Sequence, residues 1–222
     1  MDYYMFLIVT LAITISSQIY LKSTYKRCEK IMSKKEIKGE DVARKILNKN
    51  DLKNVRIEEN FGFLSDHYDP KNKVVSLSDT IFDECSIASV SVAAHECGHA
   101  IQDKEGYLFL RFRSMIFPLI SLASKAGYVA IMIGFIAGAV NFIWLGIICE
   151  ALILLFQLIT LPVEFNASHR ALKQLVDLNI VDESELRDCK KMLTAAALTY
   201  VASVATSALE ILRLVMILHR RD

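Results

Sequence analysis

Apolar residues are concentrated in three long blocks, and the segments between them are rich in charge. The first block, residues 3–21, has no charged residue and approaches the roughly 20 residues that a membrane-spanning helix needs. The second block, residues 114–163, is interrupted only by Lys125 and Glu150, and the third covers residues 194–218. This pattern predicts an α-helical integral membrane protein.

We interpret residues 1–21 as an uncleaved transmembrane anchor, because the features of a cleavable signal peptide are missing. Asp2 stands where a signal peptide has its basic region, and residues 18–21 are not the small residues of a cleavage site. Basic residues then predominate: Lys22, Lys26, Arg27, Lys30, Lys34 and Lys35, against the single acidic Glu29. The positive-inside rule places this side in the cytoplasm. A solvated basic helix without topological meaning is the alternative.

The second apolar block is too long for one membrane span. Residues 138–141 (Gly-Ala-Val-Asn) predict a reversal between two antiparallel helices, at about residues 116–139 and 142–166. Such a hairpin returns the chain to the cytoplasm.

The third block predicts a last apolar helix over residues 195–218. Residues 182–185 (Asp-Glu-Ser-Glu) suit a capped helix start. The helix contains Glu210 and Arg213, and basic residues at 219–221 follow. A full crossing would place those residues outside, against the positive-inside rule. Full crossing, re-entry and packing under the hairpin all stay open.

Between the first two blocks the composition is that of a soluble domain. An amphipathic helix is predicted over residues 36–50, and a second helix from about Ser86 to Gln102. Three strands are predicted between the two helices, at residues 55–57, 63–68 and 73–77. Residues 69–72 (Asp-Pro-Lys-Asn) are typical of a turn, so the last two strands should form a hairpin.

Overall composition narrows the function classes. Apolar types make up 53% of the 222 residues. The net charge is only +1, so the protein has no overall positive field that would attract nucleic acid, and nucleic acid is not expected as a partner. The five cysteines are scattered, without a C-x-x-C pair: Cys28, Cys85, Cys97, Cys149 and Cys189. This spacing argues against a disulfide framework and favours a reducing compartment.

The strongest chemical motif is H-E-x-x-H at residues 95–99, within the second predicted helix. Residues four apart share one helix face, so His95 and His99 can both offer imidazole nitrogens to one Zn²⁺. Glu96 is then placed to deprotonate a water as general base. Two surface histidines on an ordinary helix are the alternative.

Zinc hydrolases need a third protein ligand, and Glu164 is the candidate. It follows the predicted hairpin, where an unpaired carboxylate at an apolar boundary is costly and a cation partner is expected. The alternative is an interfacial glutamate paired with Arg170. His67 and His169 are weaker ligand candidates.

These stretches resemble the bacterial membrane-associated neutral zinc metallopeptidases, the YugP-like family. The resemblance rests on residues 65–70 followed by 77–78, residues 92–102, and residues 161–168 followed by 170–172. The order of anchor, soluble part, zinc helix, hairpin and glutamate also agrees. More distantly, the chain is similar to the heat-shock membrane protease and CAAX prenyl protease gluzincins.

The resemblance also implies secondary contacts at the site. Those gluzincins usually carry Asp four residues after the glutamate ligand, where this chain has Ser168; Asn166 also stands where Asp is more frequent. Residues expected to contact substrate or to support the zinc ligands are His67, Tyr68, Asn166, Ser168 and His169. Tyr68 and His169 are also candidates for oxyanion stabilisation. An edge strand near residues 66–68 is expected to pair with an extended peptide substrate; an ordinary short edge strand is the alternative.

The sequence thus predicts a mainly α membrane protein with a small β-hairpin or sheet beside a gluzincin-like zinc helix. Its segments are an anchor (1–21), a cytoplasmic catalytic part (22–113), a transmembrane hairpin (114–163), a cytoplasmic segment with the third ligand (164–194) and an apolar helix (195–218). The expected function is a zinc endopeptidase of the bacterial inner membrane, multi-pass, whose active site faces the cytoplasm. Its expected partners are a peptide or protein substrate and the lipid bilayer. A non-catalytic membrane scaffold with a structural or vestigial zinc site is the alternative.

Overall fold

The computed structural model describes residues 3–219, which are mainly helical. The elements in chain order are α1 Tyr3–Glu29, α2 Gly39–Lys49, β1 Arg56–Asn60, β2 His67–Asp69, β3 Val74–Ser78, α3 Asp79–Asp83, α4 Ile87–Lys104, α5 Leu108–Ala137, α6 Val140–Asp177 and α7 Glu183–His219. By length and composition, α1, α5, α6 and α7 can each cross a membrane. The expectation of a mainly helical protein with a small sheet is confirmed, and four of its helices are candidate membrane spans.

The chain divides into two compact units. The apolar unit consists of the described residues up to Gln18, Arg111–Pro162 and the described residues from Leu198 onward. The site unit consists of Ile19–Leu110 and Val163–Ala197. All four long helices contribute residues to both units.

Within the apolar unit, the chain reverses between α5 and α6 at the predicted position. Gly138 has φ +65°, a left-handed conformation that glycine adopts without steric cost. The amide N of Phe142 donates to the Ala139 carbonyl (3.0 Å) and closes the turn. In α7, the guanidinium of Arg213 donates to the carboxylate of Glu210 (2.9 Å), so these two charges pair with each other.

Helix α6 extends well beyond its predicted limit, whereas α7 begins where the sequence predicts a capped start. Helix α6 continues past its apolar block to Asp177 because Ala171 and Leu175 are fully buried in the core of the site unit. Helix α7 begins at Glu183, because the side chain of Asp182 accepts from the amide of Glu185 and the side chain of Glu185 accepts from the amide of Asp182. This reciprocal pair is the capped start that the sequence predicts.

The core of the site unit forms where α2 packs on α4. The apolar face of α2 is completely buried and comprises Val42, Ala43, Ile46 and Leu47. Cys97 of α4 is buried against this face, with its thiol 3.6 Å from the Ala43 carbonyl oxygen. The apolar spacing of α2 thus holds α4 in place as a buried scaffold.

The three strands form one sheet in the order β1-β3-β2. Strand β3 is parallel to β1 and antiparallel to β2, with Tyr68 opposite Val75. The predicted β2–β3 hairpin is confirmed, and the Asp69 carboxylate stabilises its turn by accepting from the amide of Asn72 (3.1 Å). Asp66 accepts from the Ser78 amide (2.7 Å), so the segment that leads into β2 is tied to the end of β3.

Candidate metal centre

Helix α4 presents the H-E-x-x-H motif on a rigid, buried element. It begins at an N-cap where the Ser86 hydroxyl accepts from the Ser89 amide (3.1 Å). At Gly98, a Cβ atom would lie 2.5 Å from the Ala167 carbonyl oxygen of α6. Glycine therefore permits the close approach of α4 and α6, one residue away from His99.

This approach brings three potential ligands together. The Oε2 atom of Glu164 lies 3.3 Å from Nε2 of His95 and 3.7 Å from Nε2 of His99. The side chains are 14%, 10% and 4% exposed for His95, His99 and Glu164 respectively. Their ligand atoms all lie within 4.8 Å of one another. Two imidazole nitrogens and one carboxylate oxygen, largely shielded from water, match the donor set of a catalytic zinc site that keeps a fourth position open.

A hydrogen-bond network determines which nitrogen of His99 is free to bind a metal. The side-chain amide of Gln102 donates to the Val163 carbonyl (2.8 Å) and to Oδ1 of Asn166 (2.9 Å). Since a backbone carbonyl only accepts, the NH₂ group of Gln102 must face it, and its Oε1 faces Nδ1 of His99 (3.0 Å). The Nδ1 atom therefore carries the proton, and the lone pair of Nε2 points toward Glu164.

The network continues to the surface through Arg170. Its Nε donates to Oδ1 of Asn166 (2.7 Å), which fixes that atom as an acceptor, and its NH2 atom pairs with Glu105 (2.7 Å). Asn166 thus acts on the site indirectly, by holding Gln102. Arg170, the alternative partner considered for Glu164, is engaged by Asn166 and Glu105.

The other histidine has a different orienting partner. Nδ1 of His95 lies 3.2 Å from the hydroxyl of Ser168. Ser168 is four residues after Glu164 and on the same face of α6, so one helix supplies both a potential ligand and the group that orients a second. A neutral hydroxyl here replaces the carboxylate that the resemblance leads one to expect.

Glu96 lies beside the three potential ligands without belonging to the group. Its side chain is buried within α4, at 7% exposure. Burial raises the pKa of its carboxyl to about 7, and the negative charge of Glu164 acts in the same direction. Glu96 is therefore a carboxyl group in a water-poor environment next to the converging donor atoms.

The remaining predicted site residues lie outside the group of ligand atoms. His67 is exposed at the start of β2, and its Nδ1 lies 2.9 Å from the Ser65 carbonyl oxygen. His169 is exposed on α6. The Tyr68 hydroxyl donates to Asp103 (2.7 Å); burial first, and then this bond, hold the pKa of Tyr68 above its usual range.

Sequence reasoning missed Gln102 as a site residue. The signal was present, because Gln102 is three residues after His99 and seven after His95, and these positions recur on one helical face. A glutamine on the buried face of a helix needs hydrogen-bond partners. Its partners on α6 follow from tertiary packing alone.

Comparisons with known proteins agree with this geometry. The family model described as "Putative neutral zinc metallopeptidase" matches residues 3–219. The "Putative membrane protease YugP" of Bacillus subtilis (strain 168) is 42% identical over 216 residues, which cover 97% of this chain and 96% of that protein. No solved structure matches the chain. The resemblance inferred from the sequence and the expected zinc cofactor are thereby confirmed, and the chain belongs to the family described as "Putative neutral zinc metallopeptidase".

Proposed function

We propose that this chain is a membrane-embedded zinc endopeptidase in which His95, His99 and Glu164 hold the metal and Glu96 is the general base. The observation that carries the proposal is the convergence of the three ligand atoms within 4.8 Å, with a buried carboxyl next to them in α4. The combination of an H-E-x-x-H helix and a glutamate from a later helix is a gluzincin-like arrangement.

The protein's own groups have distinct tasks in this reaction. When bound, Zn²⁺ supplies Lewis-acid chemistry, acidifying a water and polarising the scissile carbonyl. Glu96 accepts the proton of the attacking water and later delivers it to the nitrogen of the leaving amine. Gln102 and Ser168 keep the two imidazoles oriented, so that little reorganisation is needed during the reaction.

The site unit also offers a place for an extended substrate. Strand β2 is the last strand in the order β1-β3-β2, so within the described sheet one of its edges is unpaired. It is anchored to α4 by the bond from Tyr68 to Asp103. We propose that a peptide substrate adds to this edge as a further strand, and that backbone hydrogen bonds align it with the metal.

Metal removal tests the proposed function directly. The detergent-purified full chain should contain about one Zn²⁺ and cleave members of a diverse peptide library. Treatment with 1,10-phenanthroline should abolish cleavage, and addition of Zn²⁺ should restore it; metal analysis and mass spectrometry of the products measure both. Zinc-loaded protein that cleaves none of a broad set of unfolded and membrane-bound substrates would favour the scaffold alternative.

The Gln102 network gives a further prediction. Gln102→Leu removes the acceptor for the proton on Nδ1 of His99, so zinc affinity should fall about 10- to 100-fold, as when other outer partners of metal ligands are lost. Competition with a chromogenic chelator measures the affinity. Ser91→Ala is the matched control, because it removes a buried hydrogen bond of α4 to the Ile87 carbonyl and should leave zinc affinity unchanged. Equal zinc affinities in the two variants would show that Gln102 does not support the metal site.

We further propose a multi-pass topology in the bacterial inner membrane, with residues 22–113 and 164–194 in the cytoplasm. The basic residues after the first span support it. In intact cells, Lys34→Cys, Lys104→Cys and Lys173→Cys should resist an impermeant thiol reagent. Asn141→Cys, at the start of α6 beside the hairpin turn, should react. The unmodified chain corrects for native cysteines. External labelling of Lys104→Cys would contradict this topology.

A further inference from the structure

The loop between β1 and β2 exposes large apolar side chains. Phe61 is 87% exposed, Phe63 57% and Leu64 37%. These three residues and Gly62 are consecutive, so they form one apolar projection, which we call the Phe61 loop. A contiguous exposed patch of this kind on a folded unit marks a surface for another protein or for lipid.

The Phe61 loop has a defined conformation. The side-chain amide of Asn60 donates to the Ser65 carbonyl (3.3 Å), and the Ser65 hydroxyl donates to the Gly62 carbonyl (2.7 Å). Leu64 has φ +55°, a left-handed conformation that is unfavourable for a bulky side chain. The local bonds thus hold the loop in one conformation, with Phe61 highly exposed, at a conformational cost, as strained segments at functional sites do.

A ring contact gives the position of the loop along α1. The ring centroids of Phe63 and Tyr25 lie 5.0 Å apart, in an edge-to-face arrangement at 78°. Tyr25 is four residues beyond Leu21, where the uncharged run of α1 ends. At about 1.5 Å per residue, four residues correspond to roughly 6 Å along the helix.

That distance corresponds to the interfacial layer of a bilayer. The hydrocarbon core is about 30 Å thick and the whole bilayer about 40–45 Å, so each interfacial layer is roughly 5–7 Å deep. Any tilt of α1 shortens the distance along the bilayer normal. Exposed Lys22 and Lys26 flank Tyr25 and suit contact with lipid phosphates.

We propose that the Phe61 loop inserts into the interfacial layer of the same bilayer that α1 crosses. Aromatic side chains favour this layer, and amphipathic elements bury their apolar face about 5–10 Å into the boundary between headgroups and acyl chains. The proposed partner is therefore a lipid surface. The inference depends on the membrane location of α1 and is independent of the peptidase reaction.

Fluorescence quenching by lipids tests the depth of the loop. The full chain contains one tryptophan, Trp144, so Trp144→Phe provides a background into which Phe61→Trp introduces a single reporter at a highly exposed position. The protein is reconstituted into phosphatidylcholine vesicles that also contain phosphatidylglycerol, with bromine placed either high or low on the acyl chains. The emission of Phe61→Trp should be blue-shifted. Bromines placed high on the acyl chains should quench most of this emission, and bromines placed low on the chains should quench less of it.

Lys71→Trp in the same background is the matched control, because Lys71 is exposed in the turn between β2 and β3. Its emission should match that of tryptophan in water, and neither brominated lipid should quench it. Equal quenching at the two positions, or none at position 61, would overturn the proposal. A blue shift of Phe61→Trp that appears only when an apolar peptide is added would also overturn it and assign the loop to a protein partner.

Discussion

Glu96→Gln should reduce peptide cleavage by at least about 10²-fold, the low end of what a positioned general base contributes. Glutamine has nearly the size of glutamate and keeps hydrogen-bonding capacity, but its amide cannot accept a proton from water. Glu96 is not among the three residues whose ligand atoms converge, so the zinc content should stay at the wild-type level. The loss should therefore fall on kcat rather than on metal binding or folding.

The matched control for this experiment is Glu84→Gln. Glu84 is exposed in the segment before α4, so its substitution makes the same chemical change away from the site. This variant should retain wild-type cleavage, while circular dichroism and metal analysis should be alike for all three proteins. Unchanged activity of Glu96→Gln would mean that another group, or a contaminating protease, supplies the base.

His95→Ala and His99→Ala should each abolish zinc binding, and Glu164→Ala should weaken it strongly. Each substitution removes one of three donor atoms, so the loss should exceed the roughly 10- to 100-fold effect of losing an outer partner such as Gln102. The measurement is metal content after dialysis against a weak chelator, followed by competition with a chromogenic chelator. Cleavage should be lost in parallel.

The exposed histidines provide the controls for this series. His67→Ala and His169→Ala remove imidazoles that lie outside the group of ligand atoms and should keep full zinc occupancy. If Glu164→Ala also kept full occupancy, the third ligand would have to come from elsewhere, and His67 and His169 would be the next candidates. Thermal unfolding of each apo variant separates loss of metal from loss of fold.

Local periodicity explains how far the sequence could predict the fold. The long apolar runs predict membrane-spanning helices, and the turn residues 69–72 predict the β2–β3 hairpin, because both signals act between residues close in the chain. The length of α6 was underestimated. A hydrophobic block in the sequence indicates a segment that a bilayer can bury. Ala171 and Leu175 instead extend α6 by packing into a protein core.

The placement of β1 shows the same limit. Its alternation identifies a strand, but the sequence does not specify that β1 pairs in parallel with β3 rather than with β2, the strand that directly follows it in the chain. Strand order is a non-local property, since the same strand pattern is compatible with several sheets.

By itself, the sequence determined the residues that local helical geometry relates: His95 and His99 on one face of α4, with Glu96 beside them, and an apolar anchor before the soluble segment. Only the tertiary structure decided which groups from distant elements meet them. Glu164 is 69 residues from His95, Val163 is 61 from Gln102, and Phe63 reaches Tyr25 of α1. Helical spacing predicts which side chains share a face, but which two faces meet depends on packing between elements, here on the small residue Gly98 that admits α6.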